Sequence, residues 1–148
     1  MNLITWNIQA CTGCDGVVSP RRIVEDARRL ADFDVLCLQE VAANFAGFKA
    51  SRGEDQFAEL AALLPGYTLV PGIAVDVLGS DNRRQRFGSA IFSRLPVLQV
   101  IVTRLPRPSD PSARRSMERC LLEAVVETAI GPLRVMTTHI EFFSKLQR

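Results

Sequence analysis

Residues 34–39 form a nearly continuous apolar run, and this run restricts the fold of the chain more than any other feature. A strand without alternating polar positions must be covered on both of its faces. Residues 2–8 are predicted to form an earlier strand, and Ser19 and Pro20 supply the N-cap and the first turn of a helix between the two strands. The order strand, helix, strand predicts a βαβ-like start and an α/β fold.

The later part of the chain alternates between short apolar runs and turn-forming residues. The predicted elements are a helix at 55–64, a long exposed loop at 71–86, and strands at 67–70, 87–93, 97–104, 120–126 and 133–138. The strands at 87–93 and 97–104 are predicted to pair as one hairpin, and the strands at 120–126 and 133–138 as another. Because the sequence has 148 residues and no repeat or linker, residues 1–148 are expected to form a single structural unit.

The composition excludes several classes of protein. The formal net charge is only +2, so attraction of a polyanion must depend on a local basic site. The chain has no secretory signal pattern and no apolar stretch long enough to span a membrane, and a cytoplasmic location is expected. Cys11 and Cys14 form a C-x-x-C string, which is half of a zinc site, a redox pair or a coincidental pair in a loop.

Three polar side chains directly follow predicted strands: Asn7, Glu40 and His139. A carboxylate suits Mg²⁺, an amide oxygen ligates such a cation or is oriented around it, and an imidazole donates to a phosphate oxygen. Because the ends of adjacent parallel strands meet at one edge, the three are expected to share a pocket, with Glu141 orienting His139. Taken singly, they have plainer explanations as a solvated acid, a turn asparagine and a capping histidine.

Arginines are the predicted substrate-binding residues. Arg119 adjoins the strand at 120–126 and either reaches a phosphate or pairs with a carboxylate across the strand. Arg86 enters the strand at 87–93 from a basic loop. It belongs to a group of arginines that either lines a groove for a polyanion or forms a solvated basic surface. The other members of this group are Arg83, Arg84, Arg114 and Arg115.

Four short strings occur at these positions in a fixed order: TWNIQ at 5–9, DVLCLQEV at 34–41, FGSAIFSR at 87–94 and TTHIE at 137–141. Their order resembles that of the endonuclease/exonuclease/phosphatase family, the metal-dependent phosphoesterases that include DNase I-like and exonuclease III-like enzymes. The resemblance implies a four-layer α/β/β/α sandwich and a phosphodiester substrate, with nucleic acid among the candidates. It also implies that Asn7 and Glu40 hold Mg²⁺, or Mn²⁺ in its place, with His139 against the scissile phosphate.

The resemblance covers the first half of the family's domain, because the G-D-x-N and S-D-H strings of its second half do not follow. We therefore expect half of the sandwich, one mixed sheet with helices on one face. The apolar face of the 120–126 strand would then meet water and require the missing half or a second chain to cover it. This face consists of Cys120, Leu122, Ala124 and Val126.

Two functions follow from this expectation. The first is half of a magnesium-dependent phosphodiesterase with little or no activity as the isolated chain. The second is a non-catalytic association module that binds a partner or a second copy through the apolar face. Metal binding that is lost in Glu40→Gln supports the first, and tight dimerisation without metal affinity supports the second.

Overall fold

The structure, a computed structural model, describes residues 1–46, 48, 51–110 and 116–147. Within these residues there are two α-helices and seven β-strands, and the strands form two sheets. The elements are β1 (Leu3–Asn7), α1 (Pro20–Leu30), β2 (Val35–Ala43), α2 (Gln56–Leu63), β3 (Thr68–Leu78), β4 (Arg84–Ser93), β5 (Val97–Arg104), β6 (Cys120–Thr128), β7 (Gly131–Thr138) and a 3-10 turn (Lys145–Gln147). Both predicted helices are confirmed, and Ser19 caps α1 by accepting the Arg22 N–H at 3.2 Å.

The first sheet has the strand order β1-β2-β4-β3. β1 and β2 are parallel and the other pairs are antiparallel, so the sheet is mixed as predicted. β2 is central and its first residues are almost fully buried, which confirms the prediction from the apolar run. Leu36 and Leu38 pack under the two helices, whereas Val35 and Cys37 face the opposite side. The helices therefore cover one face of this sheet only.

A second, antiparallel sheet of β5, β6 and β7 covers the other face. Leu122, Ala124 and Val126 pack against Val35 and Cys37 of the first sheet. The prediction that this face of β6 is exposed is therefore wrong, as is the prediction of a single sheet. The chain passes from one sheet to the other after β4, and the later strands fold back over β2, β3 and β4. The described residues form three layers, in the order helices, mixed sheet, antiparallel sheet.

Two further predictions fail in the region between α2 and β6. The predicted loop at 71–86 is largely strand, because β3 continues to Leu78 and pairs with β4. Pro71 is tolerated there since β3 is the edge strand of its sheet. The predicted hairpin of 87–93 with 97–104 does not form, because β4 pairs with β2 and β3 whereas β5 pairs with β6 in the other sheet.

Apolar side chains remain exposed at the edge formed by β5. Val100 and Val102 lie opposite Ala124 and Leu122 and share the inward face with them. They are nevertheless 47% and 43% exposed, because β5 is the edge strand of the second sheet and lies beside β3, the edge strand of the first.

The helices differ from the prediction at one apolar position. Leu30 of α1, predicted on the buried face of that helix, is exposed. Among the described helices, none has the length and apolar character needed to cross a bilayer.

Candidate active site

Glu40 lies inside β2, at a β-bulge, and not at the end of the strand as predicted. Gln39 pairs with Ser89 and Val41 pairs with Gly88, so Glu40 is an extra residue without a partner in β4. Its φ of 60° lies in the left-handed region, which costs a residue with a Cβ atom about 1–2 kcal/mol. Val41 returns to the helix-covered face, and the Glu40 side chain is free to contact groups from the other sheet.

The side chains of Asn7 and His139 meet Glu40. Asn7 is the last residue of β1 and His139 directly follows β7, as predicted. Asn7 Nδ2 is 3.2 Å from Glu40 Oε1 and 3.1 Å from His139 Nε2. His139 Nε2 is 3.4 Å from the same Glu40 oxygen. Because β7 belongs to the second sheet, this cluster joins two sheets, and the prediction of one row of parallel strand ends is wrong.

A small pocket opens beside the cluster. Its wall consists of Glu40, Ala74, Phe87, Gly88, Ser89, Glu118, Arg119, Cys120 and His139. Glu118 was not predicted for this wall; it directly precedes Arg119, and its position in the sequence is the one signal that points to it. The Glu118 carboxylate accepts a hydrogen bond from Arg104 at 2.9 Å, so its charge is already paired.

Arg119 lies in the pocket wall and is held by Glu141. Its Nε donates to Glu141 Oε2 at 3.4 Å, and the two side chains are 12% and 1% exposed. The Glu141 carboxylate also accepts the N–H groups of Met117 and Phe143. Burial opposes ionisation of Glu141, but these hydrogen bonds and the Arg119 charge outweigh it and lower the pKa of the carboxyl. Glu141 thus holds Arg119, and His139 Nδ1 is buried without a hydrogen-bond partner among the described residues.

Arg86 does not line this pocket. Its Nη2 donates to Asp55 Oδ2 at 2.9 Å, at the N-cap of α2. Neighbouring arginines have acidic partners as well, in the pairs Arg83–Asp81 and Arg84–Asp76. Arg114 and Arg115 lie outside the described residues. This pairing favours the interpretation of the described arginines near Arg86 as a solvated surface.

Cys11 and Cys14 have no further metal ligands beside them in the described part of the chain. Cys11 is buried, and burial raises the pKa of its thiol to about 12, whereas Cys14 is exposed and both are free thiols. Among the residues that the structure describes, no group of three or more histidine, cysteine or acidic side chains is placed to hold a metal ion. The geometry favours a coincidental pair in a loop.

The surroundings of His139 favour its neutral form. Burial lowers the pKa of its imidazole, the positive charge of Arg119 adds to this effect, and the Glu40 and Glu141 carboxylates oppose it. As a result, the contacts of Glu40 in the cluster are an amide and a neutral imidazole. In the described part of the chain, its carboxylate has no lysine or arginine partner, although its side chain is only 23% exposed.

Acidification is expected to destabilise the fold through His139. Between the lowered pKa of the folded chain and the ordinary value of 6.5, the unfolded chain binds a proton that the folded chain excludes. Stability therefore falls as the pH decreases through this window. Thermal unfolding from about pH 7.5 to about pH 5 should show a falling midpoint, with a smaller fall in His139→Asn. Equal pH dependence in the two proteins would show that His139 is not the source.

The donor set around Glu40 fits a hard divalent cation that keeps several of its waters. Mg²⁺ is commonly held in proteins by one or two carboxylates together with water and phosphate oxygens. Glu40 provides such a carboxylate without a change of structure. Asn7 Oδ1 accepts the Gln9 N–H at 3.0 Å while its Nδ2 faces Glu40, so direct ligation through Oδ1 requires the amide to turn.

The first sheet is covered by helices on one face and by a second sheet on the other, and an amide, a carboxylate and an imidazole are in contact between the two sheets. Asn7 belongs to this cluster but not to the wall of the pocket beside it. This combination is typical of a fold of the nuclease and phosphatase class. The model of the Endonuclease/Exonuclease/phosphatase family matches residues 4–139, and the chain belongs to this family. The matched region includes Asn7, Glu40 and His139.

Solved structures agree with this assignment. An endonuclease/exonuclease/phosphatase from Beutenbergia cavernae DSM 12333 is 30% identical with a TM-score of 0.73, and the match covers 93% of this chain and 37% of that one. A family protein from Leptotrichia buccalis C-1013-b is 15% identical with a TM-score of 0.60, covering 94% and 54%. D. rerio TDP2, complexed with single strand DNA product, is 20% identical with a TM-score of 0.60, covering 97% and 47%.

These coverages mean that the chain spans between 37% and 54% of the length of the three solved structures. No curated protein gives a significant match.

Proposed function

We propose that this chain is the N-terminal half of a magnesium-dependent phosphodiesterase domain that hydrolyses a phosphodiester by in-line attack of water. The observation that carries the proposal is the cluster of Asn7, Glu40 and His139, whose side chains meet at 3.1 to 3.4 Å from two sheets. Membership of a hydrolytic family supports the reaction class.

Each residue of the site has a distinct role in this proposal. Glu40 and Asn7 would hold Mg²⁺, or Mn²⁺ in its place, with Glu40 as the direct ligand. The bound cation would neutralise charge on the phosphate and on the leaving oxygen. Once the Asn7 amide has turned to ligate the cation, His139 would donate a hydrogen bond from Nε2 to a non-bridging phosphate oxygen, and Arg119 would offer its guanidinium to the same phosphate. Arg86 stays a candidate for contacts with more distant parts of the substrate.

Among the described residues of the pocket wall, no carboxylate is left to activate the attacking water. Of the two carboxylates in the pocket wall, Glu40 is assigned to the cation and Glu118 is paired with Arg104. We propose that the other half of the domain, or a second chain, supplies this group together with the fourth layer of the sandwich. The same part would cover the exposed Val100 and Val102 of β5. On this proposal the isolated chain has little or no activity.

Nucleic acid is the substrate class that we favour. The D. rerio TDP2 structure, which shares the fold, is a complex with single strand DNA product. Arg119 adds a positive charge beside the cluster, while the overall net charge of +2 leaves recognition to such local contacts. A cytoplasmic location stays a prediction of the sequence.

Binding of a non-hydrolysable dinucleotide phosphorothioate tests the proposal. We expect binding, followed by the NMR signals of the His139 imidazole, to require Mg²⁺. Arg119→Met should weaken it about tenfold, since a charge-assisted hydrogen bond to the phosphate is lost. Arg21→Met is the matched control, because Arg21 lies on α1 with its side chain 76% exposed and should leave binding unchanged.

Two outcomes would contradict the proposal. Equal binding with and without Mg²⁺ would remove the role of the cation, and equal effects of the two arginine variants would remove the role of Arg119. Robust hydrolysis of a simple phosphodiester by the 148-residue chain would show instead that its own residues activate water.

The association-module hypothesis keeps one supporting observation, the exposed apolar side chains Leu98, Val100 and Val102 on β5. The face of β6 on which it was first based is buried. Sedimentation separates the two functions: a tight dimer without Mg²⁺ affinity would favour the module, and a monomer that binds Mg²⁺ would favour the enzyme half.

A further inference from the structure

Gln39 is a buried amide that joins the two sheets. Its side chain is 7% exposed and lies on the face of β2 that is covered by the second sheet. Its Nε2 donates to Thr5 Oγ1 at 3.0 Å and to Thr137 Oγ1 at 2.7 Å. Thr5 belongs to β1 of the first sheet and Thr137 to β7 of the second. A single side chain therefore bonds to strands of both sheets.

The two threonines have the same relation to the cluster. Thr5 lies two residues before Asn7, and Thr137 lies two residues before His139. Side chains two residues apart in a strand lie on the same face. A hydrogen bond that fixes each threonine therefore also limits where the cluster residue beyond it lies. Gln39 itself directly precedes Glu40, so its position constrains the third member.

At Gln39 the contact between the two sheets changes from apolar packing to hydrogen bonds. Farther from the pocket the contact is apolar, formed by Val35 and Cys37 with residues of β6 and β7. Apolar burial is non-directional and does not by itself fix how one sheet lies on another. The bonds of Gln39 have a preferred length and angle, and they lie next to the site.

We propose that Gln39 is a positioning residue for the site, because its amide bonds Thr5 and Thr137 across the two sheets and thereby holds Glu40 beside Asn7 and His139. The effect of Gln39 on metal binding rests on the proposed function. The position of His139 beside Asn7 can be measured without metal or substrate.

The test compares Gln39→Met, which keeps the volume of the side chain and removes its hydrogen bonds, with Tyr67→Phe. The Tyr67 hydroxyl donates to the Phe33 carbonyl at 2.6 Å, and Phe33 lies near the other end of β2. Tyr67→Phe thus removes a hydrogen bond away from the site and serves as the control for a general loss of stability.

Two NMR readouts are used, and both rely on His139 being the only histidine. The first is the nuclear Overhauser contact between the His139 imidazole and the Asn7 side-chain amide, measured without metal. The second is the concentration of Mn²⁺ that broadens the imidazole signals by half. Gln39→Met is expected to weaken the first and to raise the second about tenfold, as loss of a supporting hydrogen bond around a metal ligand does. Tyr67→Phe should change neither.

Thr137→Val provides a milder variant if Gln39→Met does not fold. It removes the bond to Gln39 and should weaken the Overhauser contact and raise the required Mn²⁺ concentration, and unchanged readouts in this variant would also overturn the positioning role. Where Gln39→Met does fold, the change in Thr137→Val should be smaller, and the double variant should be no worse than Gln39→Met alone. Unchanged readouts in Gln39→Met, or equal changes in Tyr67→Phe, would overturn the positioning role. If the Overhauser contact is lost in Gln39→Met but wild-type protein shows no Mn²⁺ broadening, the positioning role stands and the proposed function fails.

Discussion

Glu40→Gln is expected to abolish binding of Mg²⁺ and Mn²⁺ at the cluster, because it removes the carboxylate that the geometry offers to a cation. Glutamine has nearly the same shape, and its side-chain amide can accept the Asn7 Nδ2–H that now reaches Glu40 Oε1 at 3.2 Å. We therefore expect the free energy of unfolding to change by less than about 0.5 kcal/mol. Mn²⁺ broadening of the His139 signals and chemical denaturation measure the two effects.

Glu118→Gln is the matched control for this experiment. Glu118 is the other carboxylate in the wall of the pocket, and it is already paired with Arg104. Its neutralisation should leave the affinity for Mn²⁺ nearly unchanged. If both variants lose the metal equally, the cation responds to the general negative charge of the pocket, and the assignment of Glu40 as the ligand is wrong.

Gly88→Ala is expected to cause the largest loss of stability among single substitutions near the site. A Cβ atom on Gly88 would lie 2.0 Å from the Gly72 carbonyl oxygen and 3.0 Å from the Ala74 nitrogen. Both atoms belong to the backbone of β3, so no change of rotamer relieves the contact. We expect a loss of about 3 kcal/mol or more, since β3 and β4 must separate where they flank the pocket.

Gly66→Ala separates this steric effect from the general cost of replacing glycine. Gly66 has a φ of 85° and no heavy atom within 4 Å of an added Cβ. Only the backbone conformation opposes alanine there, and the loss should be about 1 kcal/mol. Denaturant titration of the two variants gives the comparison. Similar losses would show that the strands around Gly88 separate without difficulty.

The elements that the sequence predicts well are those with a strong local pattern. The N-cap of α1 with its buried positions Ile23, Val24 and Ala27, the central strand β2 and the hairpin of β6 and β7 are confirmed, whereas Leu30 of α1 is exposed. The glycine, aspartate, asparagine and arginine residues at 71–86 predict a loop, but the region is largely strand. An edge strand tolerates those residues, and whether a strand lies at an edge depends on the sheet order, which local sequence does not contain.

The site shows the same division between local and non-local information. Asn7 and His139 lie at strand ends, and those positions follow from the apolar runs before them. The placement of Glu40 depends on the bulge opposite Ser89 and Gly88, which exists only in the pairing of β2 with β4. The partner of Arg119 was likewise not predictable, because the pairing of β6 with β7 is what brings Glu141 beside it.

The bulge in β2 gives this strand one residue more than its ladder with β4 requires. If Glu40 were deleted, Gln39 and Val41 would become neighbours that pair with Ser89 and Gly88 in regular alternation, and the faces of the strand would be preserved. The carboxylate of the cluster therefore comes from a residue that the pairing of β2 with β4 does not need. Deletion of Glu40 is expected to remove this carboxylate and to leave the alternation of the strand intact.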